Sequence, residues 1–172
     1  CIFDASFHSR KYIVYFSRAA TRFASNGHQC TGTLNNNDAN YGLAYFLTAF
    51  YCIDVSGWPA VLPNGVIDAS EISALINARF QFQFWRTGCN STINNTFIQF
   101  TGANLRASST ASDDVLLELN NPPGIGSIVN YAGWTRQTSA PADKSGFIIR
   151  HQQGTAKRIT RRGTKKAGVW EG

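Results

Sequence analysis

The stretch CTGTLNNNDANYGLAYFLTAFYC, residues 30–52, decides the class of fold. It contains parts of two β-rich runs, residues 29–37 and 41–50, which are rich in Thr, Leu, Tyr and Phe. The Asn-rich segment between them has the composition of a tight turn, because Asn tolerates turn backbone conformations. This stretch therefore predicts two successive strands.

Further runs with strand composition lie on both sides of it, separated by turn segments such as NNPPG and TSAPADKSG. They occupy residues 11–16, 78–85, 95–102, 114–119, 126–134 and 146–151. In residues 79–84, Phe alternates with Arg or Gln, and this period of two predicts that Phe80, Phe82 and Phe84 share one buried face. The pattern indicates an all-β sandwich or barrel.

Only residues 68–79 have helical character. Ile72, Leu75, Ile76 and Arg79 fall at helical spacing, after a candidate N-cap at Asp68 or Ser70. We predict one short helix there.

The composition is that of a globular chain, with 172 residues of which 43% are hydrophobic and 15% charged. This length allows one domain, or two small lobes that share a cleft. No apolar run reaches the 18 or so residues of a membrane helix, so we expect no membrane association. Because the chain starts at Cys1 and contains no Met, we expect a processed or cut piece of a longer protein.

The cysteines and histidines favour an oxidising compartment rather than a metal centre. The four Cys form no CxxC pair, and His8, His28 and His151 show no metal-ligand spacing, so we expect no metal ion and no other cofactor. An even Cys count with few charges and many Asn, Ser and Thr predicts a secreted or extracytoplasmic protein.

Six basic residues near the C-terminus account for the whole formal net charge of +6. They are Lys157, Arg158, Arg161, Arg162, Lys165 and Lys166. Such a run can neutralise phosphates, but the aromatic residues that would stack on bases are missing from it. We therefore expect a solvated basic segment, and nucleic acid is not the favoured partner.

Two stretches resemble the trypsin-like serine peptidases, and most closely the secreted lysyl endopeptidases of bacteria. The first carries Cys30, Gly32, Thr33 and Leu34, then Leu47, Thr48, Ala49 and Cys52. The second carries Ser112 and Asp113 followed by the Leu-Leu-Glu-Leu run of residues 116–119. Residues 131–136 and 149–160 also resemble strands of this family's second barrel, with Trp134 at a position beside its substrate pocket.

The resemblance implies a double β-barrel with the active site in the cleft between the barrels. Residues 1–120 would form the N-terminal arm and a complete first barrel, and residues 121–172 the start of a second barrel that stops short, with the basic segment at its end. A Cys30–Cys52 disulfide would close the loop beneath the catalytic base, stabilising the fold by about 3 kcal/mol. Three possibilities remain open for Cys1 and Cys89: they pair with each other, both are free thiols, or Cys1 pairs with a cysteine beyond Gly172. In the family, the partner of Cys89 would fall near position 7, where this chain has Phe7.

The family's chemistry requires a serine nucleophile, a histidine base and a carboxylate that orients the base. Asp113 stands at the position of the acid, but Tyr51 stands at that of the base. A phenol titrates near pH 10 and an imidazole near 6.5, so Tyr51 cannot serve as the base at neutral pH. Loss of the base costs on the order of 10⁶ in turnover. We expect neither His28 nor His151 to substitute, and no Gly-x-Ser-Gly turn occurs in residues 1–172.

Three hypotheses about function follow. The first is a serine-endopeptidase-like protein of the lysyl endopeptidase type that is inactive as given. The second is a pseudopeptidase whose cleft binds extended peptides by strand addition. The third is a small β-protein that binds an anionic polymer through its basic segment. Under the first two hypotheses the partner is a peptide or protein, and the oligomeric state stays open.

Overall fold

The computed structural model describes residues 20–25, 27–37, 43–55, 64–88, 91–94, 96–121, 129–134, 136 and 146–162. Its strands are β1 Ala20–Ser25, β2 His28–Asn35, β3 Tyr45–Thr48, β4 Arg79–Phe82, β5 Ile98–Thr101, β6 Ala103–Ser109, β7 Asp114–Leu119, β8 Gly146–Arg150 and β9 Arg158–Arg162. The helix α1 spans Ala69–Ala74, and 3-10 turns span Phe50–Cys52, Leu75–Asn77 and Gln152–Gly154. The predicted strand at residues 11–16 lies outside the described residues.

Seven antiparallel strands form one curled sheet in the order β5-β4-β1-β2-β3-β7-β6. The first and last strands of this order, β5 and β6, are successive segments of the chain with only Gly102 between them. The two ends of the sheet therefore meet at one residue. The predicted all-β barrel class is confirmed.

Gly102 makes this junction sterically feasible. Its φ is +86°, and a Cβ there would lie 2.7 Å from Asn120 Nδ2. Its N–H donates to the carbonyl of Ala78 before β4 (2.9 Å), and its carbonyl accepts the N–H of Asn120 after β7 (3.1 Å). The residue thus links the β4 side of the sheet to the β7 side, in a backbone conformation that favours glycine.

The core is built on aromatic rings from neighbouring strands. Phe23, Phe46 and Phe80 are at most 1% exposed, and their ring centroids lie 4.9–5.7 Å apart in tilted and edge-on arrangements. Phe82 is also fully buried, as the alternation predicted. Aromatic pairs at these separations contribute beyond the burial of their area.

The polar partners in that alternation behave differently from the prediction. Gln81 is buried on the opposite face of β4, where Arg22 of β1 donates to its side-chain oxygen. The amide of Gln81 in turn donates to Gln99 of β5 at 2.9 Å. Because these hydrogen bonds satisfy the amide, the second face of the sheet can be covered as well as the first.

The helix begins where it was predicted, with a capping box formed by Asp68 and Glu71. Its buried face is different, since Ile72 and Ile76 are exposed while Leu75 and Glu71 are buried. The apolar spacing therefore predicted the helix correctly. Of its three apolar residues, however, only Leu75 is buried.

Residues 121–162 contribute less regular structure within the described part of the chain. In the predicted strand 126–134 the structure describes residues 129–134, and among these only Ala132 forms a bridge, exchanging backbone hydrogen bonds with Leu34 and Asn36 at the end of β2 (2.8 and 3.1 Å). The strands β8 and β9 pair antiparallel with each other. Part of the basic segment, Arg158–Arg162, is therefore an ordered strand, whereas Lys165 and Lys166 lie outside the described residues.

Candidate active site

The register of two strands places the predicted acid beside the predicted base position. The strands β3 and β7 are antiparallel neighbours, and Thr48 at the end of β3 faces Val115 at the start of β7. The chain that leaves β3 towards Tyr51 and the chain that enters β7 from Asp113 therefore meet at the same edge of the sheet.

A hydrogen bond joins these two positions directly. The backbone N–H of Tyr51 donates to Oδ1 of Asp113 at 3.2 Å. The phenol of Tyr51 is 59% exposed, while its neighbours Phe50 and Cys52 are buried and fix the short 3-10 turn. The backbone of residue 51 is thus held by the core on either side, and its side chain faces solvent.

Asp113 itself occupies a strained turn. Its φ is +50°, a left-handed conformation that Asp tolerates better than most residues. Ser112 orders the turn, because its hydroxyl contacts both the Ser109 hydroxyl (2.7 Å) and the carboxylate of Asp114. Such outliers cluster at functional sites, and here the conformation places the carboxylate against residue 51.

The turn that carries Tyr51 is anchored from below. The predicted Cys30–Cys52 disulfide is confirmed, with the two Cα atoms 6.1 Å apart. At Gly32 a Cβ would lie 2.3 Å from the Phe46 ring. The ring can therefore pack against β2 here only because residue 32 has no side chain. The disulfide and this close packing fix β2 against β3 and the turn that follows.

Two buried carboxylates hold the loops that follow the turn, and neither was predicted as an anchor. Glu71 accepts the N–H groups of Val55 (2.6 Å) and Asp68 (3.0 Å). Asp54 accepts the N–H groups of Asn64 (3.1 Å) and Gly65 (2.7 Å). The Asp-x-x-Glu capping pattern at residues 68–71 was a signal for the role of Glu71, but nothing local marked Asp54.

Trp134 is 48% exposed and stacks with Arg136, whose guanidinium carbon lies 5.2 Å from the ring centroid. The described hydrogen bonds and ring contacts do not connect it to Tyr51 or Asp113. Its predicted place beside a substrate pocket therefore stays a prediction.

The basic segment is not uniformly solvated. The ammonium of Lys157 lies 5.3 Å from the Trp85 ring centroid, and burial lowers the pKa of this amine to about 7. Arg158 is exposed on β9, and the side chains of Arg161 and Arg162 lie outside the described set. The prediction of a wholly solvated segment is therefore wrong at Lys157.

The two histidines of the described chain lie in different environments. His28 begins β2, while His151 is 2% exposed with Nδ1 bonded to the carbonyl of Thr155 (3.0 Å). Cys1 and Cys89 lie outside the described residues. Over the described ranges, no helix is long and apolar enough to cross a membrane, and no group of three His, Cys, Asp or Glu side chains is arranged to hold a metal ion.

The curled antiparallel sheet, the disulfide beneath the 3-10 turn and the carboxylate beside it are those of a peptidase-related β-barrel protein. A family model described as lysyl endopeptidase, C-terminal domain, matches residues 5–170, and the chain belongs to that family. The resemblance to the lysyl endopeptidases is thereby confirmed. The disulfide and the family also fit an extracellular protein.

Proposed function

We propose that this chain is a serine-endopeptidase-like protein that does not hydrolyse peptides by a histidine-based mechanism. The observation that carries the proposal is the 3.2 Å bond from the Tyr51 amide to Asp113. It supports Asp113 as the acid of the family's triad and residue 51 as the position of the base. In an active triad the acid orients an imidazole at that position.

The phenol at this position cannot replace the imidazole. A general base must accept a proton near neutral pH and return it to the leaving amine, which an imidazole does and a protonated phenol does not. The carboxylate is therefore retained without the group that it would orient. We further propose that the protein is secreted, in line with its disulfide.

A second candidate function is binding of an extended peptide without cleavage. It rests on the exposure of two aromatic side chains, Tyr51 (59%) and Trp134 (48%), since exposed aromatic residues are enriched at binding surfaces. The peptide or protein that other family members would cut would here be a ligand.

The test uses the protein as isolated from its source, beside the variant Tyr51→His and the control Tyr45→His. Lysine-containing fluorogenic peptides report cleavage, and a serine-directed phosphonate reports a reactive nucleophile. We expect no cleavage by the wild-type protein. Cleavage by the wild-type protein that the phosphonate blocks would overturn the proposal.

Binding is measured separately by fluorescence anisotropy with the same peptides. Saturable binding that Tyr51→Ala and Trp134→Ala weaken would support the second candidate. Absence of binding at millimolar peptide would remove it and leave the first proposal unchanged.

A further inference from the structure

The most deeply buried histidine of the described chain lies between β8–β9 and the curled sheet. His151 follows β8, and only 2% of it is exposed. Its backbone N–H donates to the hydroxyl of Thr31 on β2 at 2.7 Å. Its ring packs on Phe84, just after β4, with 6.0 Å between the ring centroids. We call residues Gly146–Arg162 the β8–β9 segment.

Two further contacts hold the β8–β9 segment against the sheet. At Gly154 a Cβ would lie 1.5 Å from the side-chain oxygen of Gln29 on β2, so the backbone of the segment touches that side chain. The N–H of Lys157 donates to the carbonyl of Phe84 at 2.8 Å. The segment is thus held against the sheet at two points that follow the ring in the chain.

The hydrogen bonding of the ring defines a neutral tautomer. Nδ1 lies 3.0 Å from the carbonyl of Thr155, which can only accept, so Nδ1 carries the proton. Nε2 is buried and has no hydrogen-bond partner among the described residues. Protonation at Nε2 would therefore create a second N–H donor with no acceptor, and this costs free energy in a buried site.

Within the described part of the chain, the charged groups that act on the ring are all positive. Lys157 lies on the same segment, and Arg22 on β1 has its guanidinium carbon 4.9 Å from the centroid of the Phe84 ring on which His151 packs. Arg79 on β4 acts in turn on Arg22. The hydrogen-bond partners of His151, which are Thr31 on β2 and Thr155 on the segment itself, are uncharged. Burial first, and then Lys157, lower the pKa of His151 to about 4.

We propose that the β8–β9 segment docks on the curled sheet only while His151 is neutral, so that acid releases the segment and leaves the sheet folded. The imidazole would act as a pH-sensitive latch between the two parts of the described fold. The burial of the ring, the buried Nε2 without a partner among the described residues and the two cations oppose the charged imidazole, and together they outweigh the Thr155 carbonyl, which favours it.

The direction and range of the effect follow from proton linkage. In the released segment the imidazole would titrate near its ordinary value of 6.5, and in the docked segment near 4. Between these values the released state binds more protons, so docking is strongest above pH 6.5 and weakens as the pH falls towards 4. From pH 7.5 to pH 5 the titration of His151 alone should lower the docking equilibrium about 30-fold.

Hydrogen exchange of backbone amides, corrected for the intrinsic effect of pH, measures this equilibrium strand by strand. We expect the protection of β8 and β9 to fall by at least about 30-fold between pH 7.5 and pH 5, while that of β2 and β3 stays constant. His151→Asn retains a donor for the Thr155 carbonyl, and His151→Phe retains the ring that packs on Phe84. Neither side chain titrates, so both variants should lose the part of the pH dependence that His151 supplies and keep only the smaller part that comes from Lys157, whereas the control His28→Asn should keep both parts.

Three results would overturn the proposal. Protection of β8 and β9 in the wild-type protein could be independent of pH, or it could fall equally in both His151 variants. It could also fall together with the protection of β2 and β3, which would indicate global unfolding. If the variants do not fold, the NMR titration of His151 in the wild-type protein decides, since a pKa at or above 6.5 excludes the latch.

Discussion

Tyr51 and Asp113 are separated by 62 positions in sequence, and the backbone N–H of the first donates to the carboxylate of the second at 3.2 Å. The bond uses the main chain of residue 51, so it does not depend on which side chain that residue carries. The exchange of an imidazole for a phenol can therefore leave the carboxylate in place. The carboxylate thus lies beside residue 51, as the proposed acid and base positions require.

Restoring an imidazole should restore the electrostatic pair. In Tyr51→His we expect the carboxylate of Asp113 to raise the pKa of the new imidazole above its ordinary value of 6.5. NMR titration of the imidazole introduced by this substitution measures the shift directly and does not require a serine nucleophile. In Tyr51→His combined with Asp113→Asn the shift should disappear.

The sign of the effect on stability follows from that raised pKa. The ion pair would stabilise the Tyr51→His protein fully below about pH 6.5, and this contribution would vanish as the pH rises through the pKa of the folded state. An unshifted imidazole in the single variant would show that Asp113 does not act on residue 51.

Asp113→Asn and Asp113→Ala both remove the charge of Asp113, but they should differ in their effect on the free energy of unfolding, because the backbone of this residue is left-handed. Asp113→Asn keeps an oxygen that can accept from the Tyr51 amide and tolerates positive φ, so we expect a change within about 0.5 kcal/mol. Asp113→Ala loses the acceptor and incurs the left-handed penalty, a loss of about 1–2 kcal/mol. Urea unfolding measures both. Equal losses would contradict this explanation of the turn.

Glu71 should be among the residues most sensitive to substitution, because it is 1% exposed and accepts two backbone N–H groups. Glu71→Ala leaves both donors without this partner, and we expect the free energy of unfolding to fall by about 3 kcal/mol. Glu71→Gln retains one acceptor and should lose about half as much. The exposed control Ser73→Ala should stay within about 0.5 kcal/mol in the same urea titration; a similar small change for Glu71→Ala would contradict the role.

Lys157 should make the folded protein more stable as the pH rises above neutrality. Its pKa is lowered to about 7 from 10.5, so between these values the unfolded state binds the extra proton and stability increases with pH. The slope is at most about 1.4 kcal/mol per pH unit. Lys157→Met should remove it and the exposed control Arg158→Met should not, as measured by urea unfolding at pH 7 and pH 9. Parallel curves for the wild type and Lys157→Met would contradict the burial of this amine.

Local patterns in the sequence predicted most strands and the start of the helix. Period two in residues 79–84 located β4, and Asp68 marked the first turn of α1. These features depend on neighbours within a few positions, so the sequence contains them directly. The Cys30–Cys52 bond followed from the family resemblance and is also present.

Strands β1 and β6 were not predicted. Other features that the sequence did not predict depend on distant partners. The alternation placed Gln81 on a polar face, but its partner Arg22 is 59 positions away and allows the amide to be buried. His151 likewise owes its burial to Thr31 and Phe84, which β2 and the end of β4 supply. The family resemblance pointed to Tyr51 and Asp113 as residues of interest. Their contact depends on the pairing of β3 with β7, which the sequence did not predict.

The junction at Gly102 has a consequence for the candidate site at the other end of the same hairpin. The strands β6 and β7 leave that junction and return to it, and Asn120 closes the base by bonding to Gly102 and to Asn104 (3.1 and 2.8 Å). Asp113 lies at the tip. Because Gly102 has a positive φ and a Cβ there would lie 2.7 Å from Asn120 Nδ2, a substitution at Gly102 would strain the base of the hairpin that carries the carboxylate without touching the carboxylate itself. Variants that alter the pair at Tyr51 should therefore also be sought at the base of this hairpin, far from the residues that would do the chemistry.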